Sequence, residues 1–438
     1  MNPVQVGFWV PNKKWATSRY IKPLHAYVLG KKKSKSLYPM SPAIRRFKRF
    51  IESNSVIRML VTSMITQSNL YSLSRGAKEQ KEILEVGDDL MLGSMELFFL
   101  TLNEIINTSP GFNDTEMVGV PMSAYLAIGM GTQPGIALFL NEDFNMEVKK
   151  LLDAWHKFLG SPASLDKLDI RDPEKPGSWI SKKAFKAGVW ADMEYNKNLP
   201  GFGFTSWNAF FSRTLKPGSR KFFGDESEVI NIGCETTPWQ YSNNLKLVTS
   251  FWIKDVNYSL VDLFGGKMEI ARLFTGGQLY QGFLSATHYH RWNSPLTGEV
   301  ICSWREQGTY FSQRPGQPET KLSYAGMVQQ PYLGHVATRA IFLMRHEKIG
   351  YVALICVGMG EVSTVNIRPE YLVKPGKKPV AVERGDEIGR FEFGGSTHIM
   401  IFQKDTVELV DWAKNASKKR NIPTPIKLGT IIARSKIR

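Results

Sequence analysis

The spacing of apolar residues changes once along this 438-residue chain, and that change points to an α+β fold. From Ala43 onward apolar side chains recur at helical intervals, at Ile44, Phe47, Phe50 and Ile51, then at Ile57, Leu60 and Val61. Similar patterns run through residues 82–106 and 144–159. Asp143 is a candidate cap for the last of these, with Asn145 as a rival start. From about residue 228 the pattern becomes short alternating stretches, VINIGC, LKLVTSFWI, YVALICV and EVSTVNI among them, separated by turn residues, which predicts β-strands. The expected organisation is a Lys-, Pro- and Ser-rich arm over 1–40, extended or partly disordered, followed by a helical domain over 41–165. A junction over 166–227, with a helix inside SKKAFKAGVWADMEYN, leads to a β-rich domain over 228–438. No internal repeat or heptad array is visible.

A chain of this length has room for two or three domains and an ample core. Its net charge of +16 comes partly from KKKSK (31–35), KKAFK (182–186), KPGKK (374–378) and KKR (418–420). These clusters are dispersed and several adjoin Gly, Pro or Ser, so they read as solvated loops. The excess is compatible with contact to an anionic membrane without requiring it, and no nucleic-acid motif accompanies it. Cys234, Cys302 and Cys356 form neither a disulfide framework nor a metal-type C-x-x-C pair, which fits a reducing compartment and no bound metal. Residues 1–20 lack the continuous apolar core of a signal peptide, so a cytoplasmic location is expected; with Lys13, Lys14, Arg19 and no acid, a transit peptide stays an alternative. The uncharged run 117–141 contains Pro121, Pro134 and three glycines, which predicts two buried helices with a turn between them and not a membrane span.

One string carries unusual chemistry. In FEFGGSTHIMIF (391–402) a Gly-Gly-Ser-Thr step separates two apolar alternating stretches, which predicts a tight turn between strands. Glycine has no Cβ beside its carbonyl and tolerates unusual backbone angles, so the Ser396 hydroxyl can approach the carbonyl carbon of Gly395. An N→O acyl shift at that bond, followed by β-elimination, would leave a pyruvoyl group in place of Ser396. An ordinary Gly-rich hairpin turn is the alternative.

Other segments set the odds between these readings. WNAFFSRTLKPGSR (207–220), ATHYHRWNSPLTGEV (286–300), GTYFSQRP (308–315), GYVALICVGMGEVSTV (350–365), RGDEIGRFEFGGST (384–397) and IKLGTIIA (426–433) occur in the order and spacing of the pyruvoyl-dependent phosphatidylserine decarboxylase family. The chain resembles that family from about residue 200 to the end. The YHRW and GTYF strings, a long helical N-terminal half and IRRFKRFIES (44–53) most resemble its soluble amino-acid branch, which acts on L-tryptophan. The resemblance implies self-cleavage between Gly395 and Ser396 into chains 1–395 and 396–438 that stay associated. It also implies a covalent pyruvoyl cofactor derived from Ser396, which forms a Schiff base with a substrate amine and accepts the electrons released with CO2. Membrane-anchored members carry an N-terminal anchor, and this chain is expected to act without one.

The resemblance assigns roles to some residues and leaves others open. His290 and Arg291 match both branches, and His290 is the expected proton carrier, with a structural hydrogen-bonding role as the alternative. If HYHR lies on a strand, His288 and His290 face the same side. The lipid-cleaving branch has an aspartate where this chain has His288 and a second histidine where it has Asn293; that histidine pairs with an upstream aspartate, whose position here resembles Glu235. An amide is no general base, so Asn293 departs from that scheme, as the tryptophan branch also does. Glu235 is expected either to assist processing or to be a solvated acid at a strand end. His398 should share a strand face with Ser396, as a site contact or a packed residue, and His335 reads as a surface histidine. Phe210, Phe211, Arg213 and Arg220 read as scaffold, and residues 313–332 as a loop over the site. Tyr310 and Phe311 are candidates for contacts to an aromatic substrate or for core packing. The leading reading is a self-processing, pyruvoyl-dependent decarboxylase of a free aromatic L-amino acid. Phosphatidylserine decarboxylation and an unprocessed scaffold remain the alternatives.

Overall fold

The computed structural model describes residues 22–73, 92–113, 119–249, 258–313, 330–361, 364–393, 395–416 and 425–437. Its N-terminal part is helical and its C-terminal part is built of antiparallel sheets, an α+β fold.

Helix α1, Lys22–Lys33, corrects the expectation of an extended arm over these residues. Its sequence KPLHAYVLGKKK has no acid in the first turn and a glycine near its end, so local signals for a helix are weak. Tertiary contacts supply the difference. Val28 and His25 are buried, the His25 ring lies edge-on to Tyr125, and Lys31 Nζ pairs with Glu104 at 2.6 Å. Helix α2, Pro42–Ser53, is capped by the Ser41 hydroxyl, which accepts the N–H of Ile44, and buries Ile44, Phe47 and Ile51 as their spacing requires. Helices α3 (Ser55–Leu73) and α4 (Met95–Ile106) follow; residues 82–91 of the predicted helical run lie outside the described residues.

The uncharged run folds as α5 (Pro121–Met130) and α6 (Gln133–Leu140), a pair joined by a short turn. Helix α7, Glu142–Leu159, starts behind Asn141 and not at Asp143. The Asn141 side chain accepts the Phe144 N–H at 2.9 Å, leaving Asp143 in the first turn, where a negative charge suits the helix dipole. Asn145 is buried and donates to the carbonyls of Phe139 and Asn141. Among the described residues no helix is long and apolar enough to cross a membrane. The helix expected near residue 185 is a single short turn, Lys182–Lys186.

The strands are β1 (Val229–Asn231), β2 (Thr237–Asn243), β3 (Gln278–Leu284), β4 (Arg291–Asn293), β5 (Gly298–Glu306), β6 (Arg339–His346) and β7 (Gly350–Met359). They continue with β8 (Thr364–Ile367), β9 (Val380–Val382), β10 (Glu387–Glu392), β11 (Gly395–Phe402), β12 (Val407–Leu409) and β13 (Ile431–Ser435). A seven-stranded sheet runs in the order β2-β3-β11-β7-β6-β5-β9, and two three-stranded sheets in the orders β4-β10-β8 and β1-β13-β12. Strand β11 therefore lies inside the large sheet, paired with β3 and β7. Alternation divides its side chains between two cores. Met400 and Phe402 join the core that also contains Phe211, Trp292 and residues of the helical region, whereas Ile399 and Ile401 pack with Leu260, Leu263 and Tyr332.

Candidate active site

The predicted turn does not join neighbouring strands of a hairpin. Strands β10 and β11 belong to different sheets, and the chain bends between them at Phe393, whose φ is 62°. Gly395 and Ser396 are the first residues of β11 itself, so Ser396 sits in a paired strand instead of a loop. It lies opposite Leu284 of β3 and Gly358 of β7, fully buried, and its Oγ has no hydrogen-bond partner among the described residues. An unpaired buried hydroxyl costs about 1–3 kcal/mol. The next residue, Thr397, points to the other face and is fully bonded: its Oγ1 donates to the Gly282 carbonyl at 2.8 Å and accepts from Gln281 Nε2 at 3.1 Å. This pins the register that presents Ser396.

His398 shares the face of Ser396, about 7 Å further along the strand. It lies opposite Cys356 and Gly282. A side chain at Gly282 would collide with Thr236, since a Cβ there would lie 1.6 Å from Thr236 Oγ1. Neither ring nitrogen of His398 has a partner among the described residues, and burial pushes its pKa down to about 3, leaving the imidazole neutral. Cys356, beside it, shares a core with Cys234.

His288 and His290 are not on a strand, because β4 begins only at Arg291. His288 closes a turn, its N–H donating to the Ser285 carbonyl and its Nδ1 accepting the Ser285 N–H. His290 is completely buried, stacked on Phe211 with ring centroids 4.1 Å apart, and its carbonyl accepts the N–H of Phe391. Both of its ring nitrogens are unpartnered among the described residues. Burial, then the neighbouring Arg213 guanidinium, holds its pKa well below the usual histidine value; the same two causes bring His288 to about 4. Arg213 organises this corner. Buried itself, it donates to the carbonyls of Val189, Phe210, Phe211, Thr287 and His288, which makes it the scaffold that its sequence suggested.

Other candidates fall elsewhere or into different roles. Glu235 is not a solvated acid: it is buried and paired with Arg220, whose Nε donates at 2.6 Å and which also reaches Asp192. Among the described residues no hydrogen bond joins Glu235 to His290, Asn293 or Ser396. Asn293 donates from Nδ2 to the Gly385 carbonyl at 2.8 Å, and its N–H donates to Gly233, so it ties two loops together. Tyr310 and Phe311 are buried packing residues. The Tyr310 N–H donates to Asn145 Oδ1 at 3.1 Å, burial raises its phenol to about 12, and Phe311 packs on Phe139. His335 is buried, contrary to the surface reading, accepting the Ser259 N–H at 3.0 Å on Nε2. Most of the predicted loop over the site, residues 314–329, lies outside the described residues. A cleft of about 570 Å³ opens among Arg291, Arg305, Arg368 and Arg390.

With this geometry in place, sequence comparisons fix the lineage. A family model described as phosphatidylserine decarboxylase matches residues 207–433, just over half the chain, and a second model of the same description matches residues 41–187. The chain belongs to the phosphatidylserine decarboxylase family. It is 34% identical over 304 residues to the decarboxylase iboD of Amanita muscaria, covering 65% of this chain and 84% of that one. An L-tryptophan decarboxylase of Psilocybe cyanescens is 28% identical over 447 residues, covering 97% and 93%. The phosphatidylserine decarboxylase proenzyme 3 of Schizosaccharomyces pombe is 29% identical over 269 residues, which is 60% of this chain and 26% of that protein.

For a phosphatidylserine decarboxylase family member, the buried acid Glu361 is the residue that sequence reading missed. It follows β7, in the GMGEV string, and accepts the N–H groups of Met122 and Ser123 and the Ser123 hydroxyl. Burial raises its pKa to about 8. An acid ending an apolar β-run was the available signal.

Proposed function

We propose that this decarboxylase is self-processing and acts on a free aromatic L-amino acid, tryptophan or a close analogue, giving the amine and CO2. The observation that carries the reading is the setting of Ser396: a buried hydroxyl without a partner at the first positions of an interior strand, directly after Gly395. The setting suits a serine-derived prosthetic group. Gly358 across the ladder presents no side chain, and His398 and His290 are neutral imidazoles with vacant nitrogens.

In this reading Ser396 Oγ attacks the Gly395 carbonyl carbon and its proton passes to a neutral histidine. His398 shares the serine's strand face, and His290 lies in the corner packed on β10. The C–N bond of Gly395–Ser396 breaks as the ester forms. Loss of the α-proton then expels the Gly395 carboxylate, and one water releases the nitrogen as ammonia, leaving a new chain end at 396. A pyruvoyl group at 396 would supply a ketone for a substrate amine and, beside it, a carbonyl able to accept the electron pair left by CO2. His290 then holds or delivers the proton that replaces the carboxylate.

Support for an amino-acid substrate is the extent of the similarity, 97% of the chain with the Psilocybe cyanescens L-tryptophan decarboxylase against 60% with the Schizosaccharomyces pombe phosphatidylserine decarboxylase. The net charge of +16 favours the second reading, a lipid substrate. Intact mass and a substrate panel test both. Wild-type protein should resolve into 1–395 and 396–438, and Ser396→Ala should stay whole and inactive. Free tryptophan should yield tryptamine and CO2 without added pyridoxal phosphate. Turnover of phosphatidylserine vesicles alone would overturn the substrate, and an uncut yet active protein would overturn the self-processing.

A further inference from the structure

The bond between Gly395 and Ser396 lies between two chain segments that the helical region grips. On one side, the last turns of α7 hold the residues leading into the bond. Trp155 packs edge-on against Phe393 with ring centroids 4.4 Å apart, and His156 Nε2 meets Glu392 Oε2 at 3.1 Å. The tautomer is set by Asn208, whose Nδ2 donates to His156 Nδ1 at 3.1 Å, so Nε2 carries the hydrogen that Glu392 accepts. Arg390 donates to the other Glu392 oxygen at 2.8 Å, completing a partly exposed relay. Phe393 itself is in the left-handed region, φ 62°, where a bulky residue stays only if its surroundings over-determine it. Trp155 and Trp207, the latter at 5.1 Å, provide that constraint.

On the other side, the first turn of α5 holds the end of β7. Met359 is the ladder partner of Gly395, and two residues later Glu361 binds the free N–H groups of Met122 and Ser123. These hydrogen bonds to the first turn of α5 fix the strand end against which the Gly395 carbonyl must be aligned. Gly360 allows the close approach, since a Cβ there would lie 2.3 Å from Ser123 Oγ.

We propose that the helical region is the positioning device for self-cleavage, His156 and Trp155 setting the chain before Gly395 and Glu361 setting the strand beside it. The inference rests on the self-processing reading above and adds residues that touch no substrate. A misplacement of about 1 Å at a reacting pair costs on the order of 100-fold in rate. Removing either grip should therefore slow cleavage without unfolding the protein.

The test is the rate of conversion of freshly translated, pulse-labelled precursor into its two chains, for His156→Ala, His156→Gln, Glu361→Ala and Glu361→Gln. Thermal midpoints are measured in a Ser396→Ala background, where every protein stays whole. The alanine variants should cleave at least about tenfold more slowly. His156→Ala should keep a near-wild-type midpoint, while Glu361→Ala, which leaves the Met122 and Ser123 N–H groups unpaired, should lower it and Glu361→Gln should restore it. The glutamine variants should recover most of the rate, since an amide donates to Glu392 in one case and accepts from α5 in the other. Wild-type rates in both alanine variants would overturn the inference and leave self-cleavage standing. So would slow cleavage that tracks a fallen midpoint and is not rescued by glutamine. Failure of the wild-type precursor to cleave at all would instead remove the self-processing reading.

Discussion

At the scale of single residues, the site is defined by polar atoms that lack partners. Ser396 Oγ and both nitrogens of His290 and of His398 are buried and unbonded among the described residues, while neighbouring Thr397 is engaged and the Asn293 side chain is held through its Nδ2 alone. Positioned proton carriers contribute about 10²–10⁴-fold, so His290→Ala should slow cleavage or turnover by roughly that factor. His288→Ala, in a turn and bonded to Ser285, should cost much less; time courses of chain formation for the two variants give the comparison. Ser396 and His290 could be singled out from the sequence because each stands in a string that matches the family's, and the structure shows both buried. Their surroundings could not. Glu235 finds Arg220 fifteen positions upstream, and Glu361 finds Ser123 in another part of the fold, distances that no local pattern encodes.

At the scale of elements, the corner that holds His288 and His290 depends on one guanidinium. Arg213 bonds five carbonyls, two of them in the turn that carries His288 and His290. Arg213→Ala leaves those buried acceptors unpaired and should destabilise by about 3–5 kcal/mol, read as a fall in the urea midpoint. Arg213→Lys should not recover it, because an ammonium cannot span the same fork of acceptors. Periodicity disclosed α2 and α7 and the alternation of β11 well, since each buries one face. It failed at α1, whose helix depends on Lys31–Glu104 and His25–Tyr125 contacts made across the fold. It also failed at the HYHR segment, which looks like a strand in one dimension but is held as a turn by Ser285 and Arg213.

For the whole molecule, buried titratable groups set the response to acid. His288, His290, His335 and His398 are neutral in the folded state, their pKa values lowered by burial, to about 4 for His288 and His335 and about 3 for His398. Unfolded histidines take up protons below about pH 6.5, so this contribution to stability is present above that pH and is lost as pH falls. Glu361 acts in the opposite sense: its raised pKa of about 8 means that acidification from pH 8 to about 4.5 favours the fold. Four protons against one leave three, a slope of about 4 kcal/mol per pH unit between roughly pH 6 and 5, measurable by denaturant titration at several pH values. The position of β11 has a different consequence. The strand pairs with β3 and β7 in the continuous chain, and in the proposed cleaved form the same strand would head a separate, short polypeptide. Heat or denaturant would then release a fragment that must find an interior slot as a second molecule, at a cost set by dilution. Ser396→Ala should refold from urea, whereas processed protein should not, with the shortfall growing as concentration is lowered. The active form would thus be reachable only by way of its precursor, and its lifetime would be governed by how slowly it first opens.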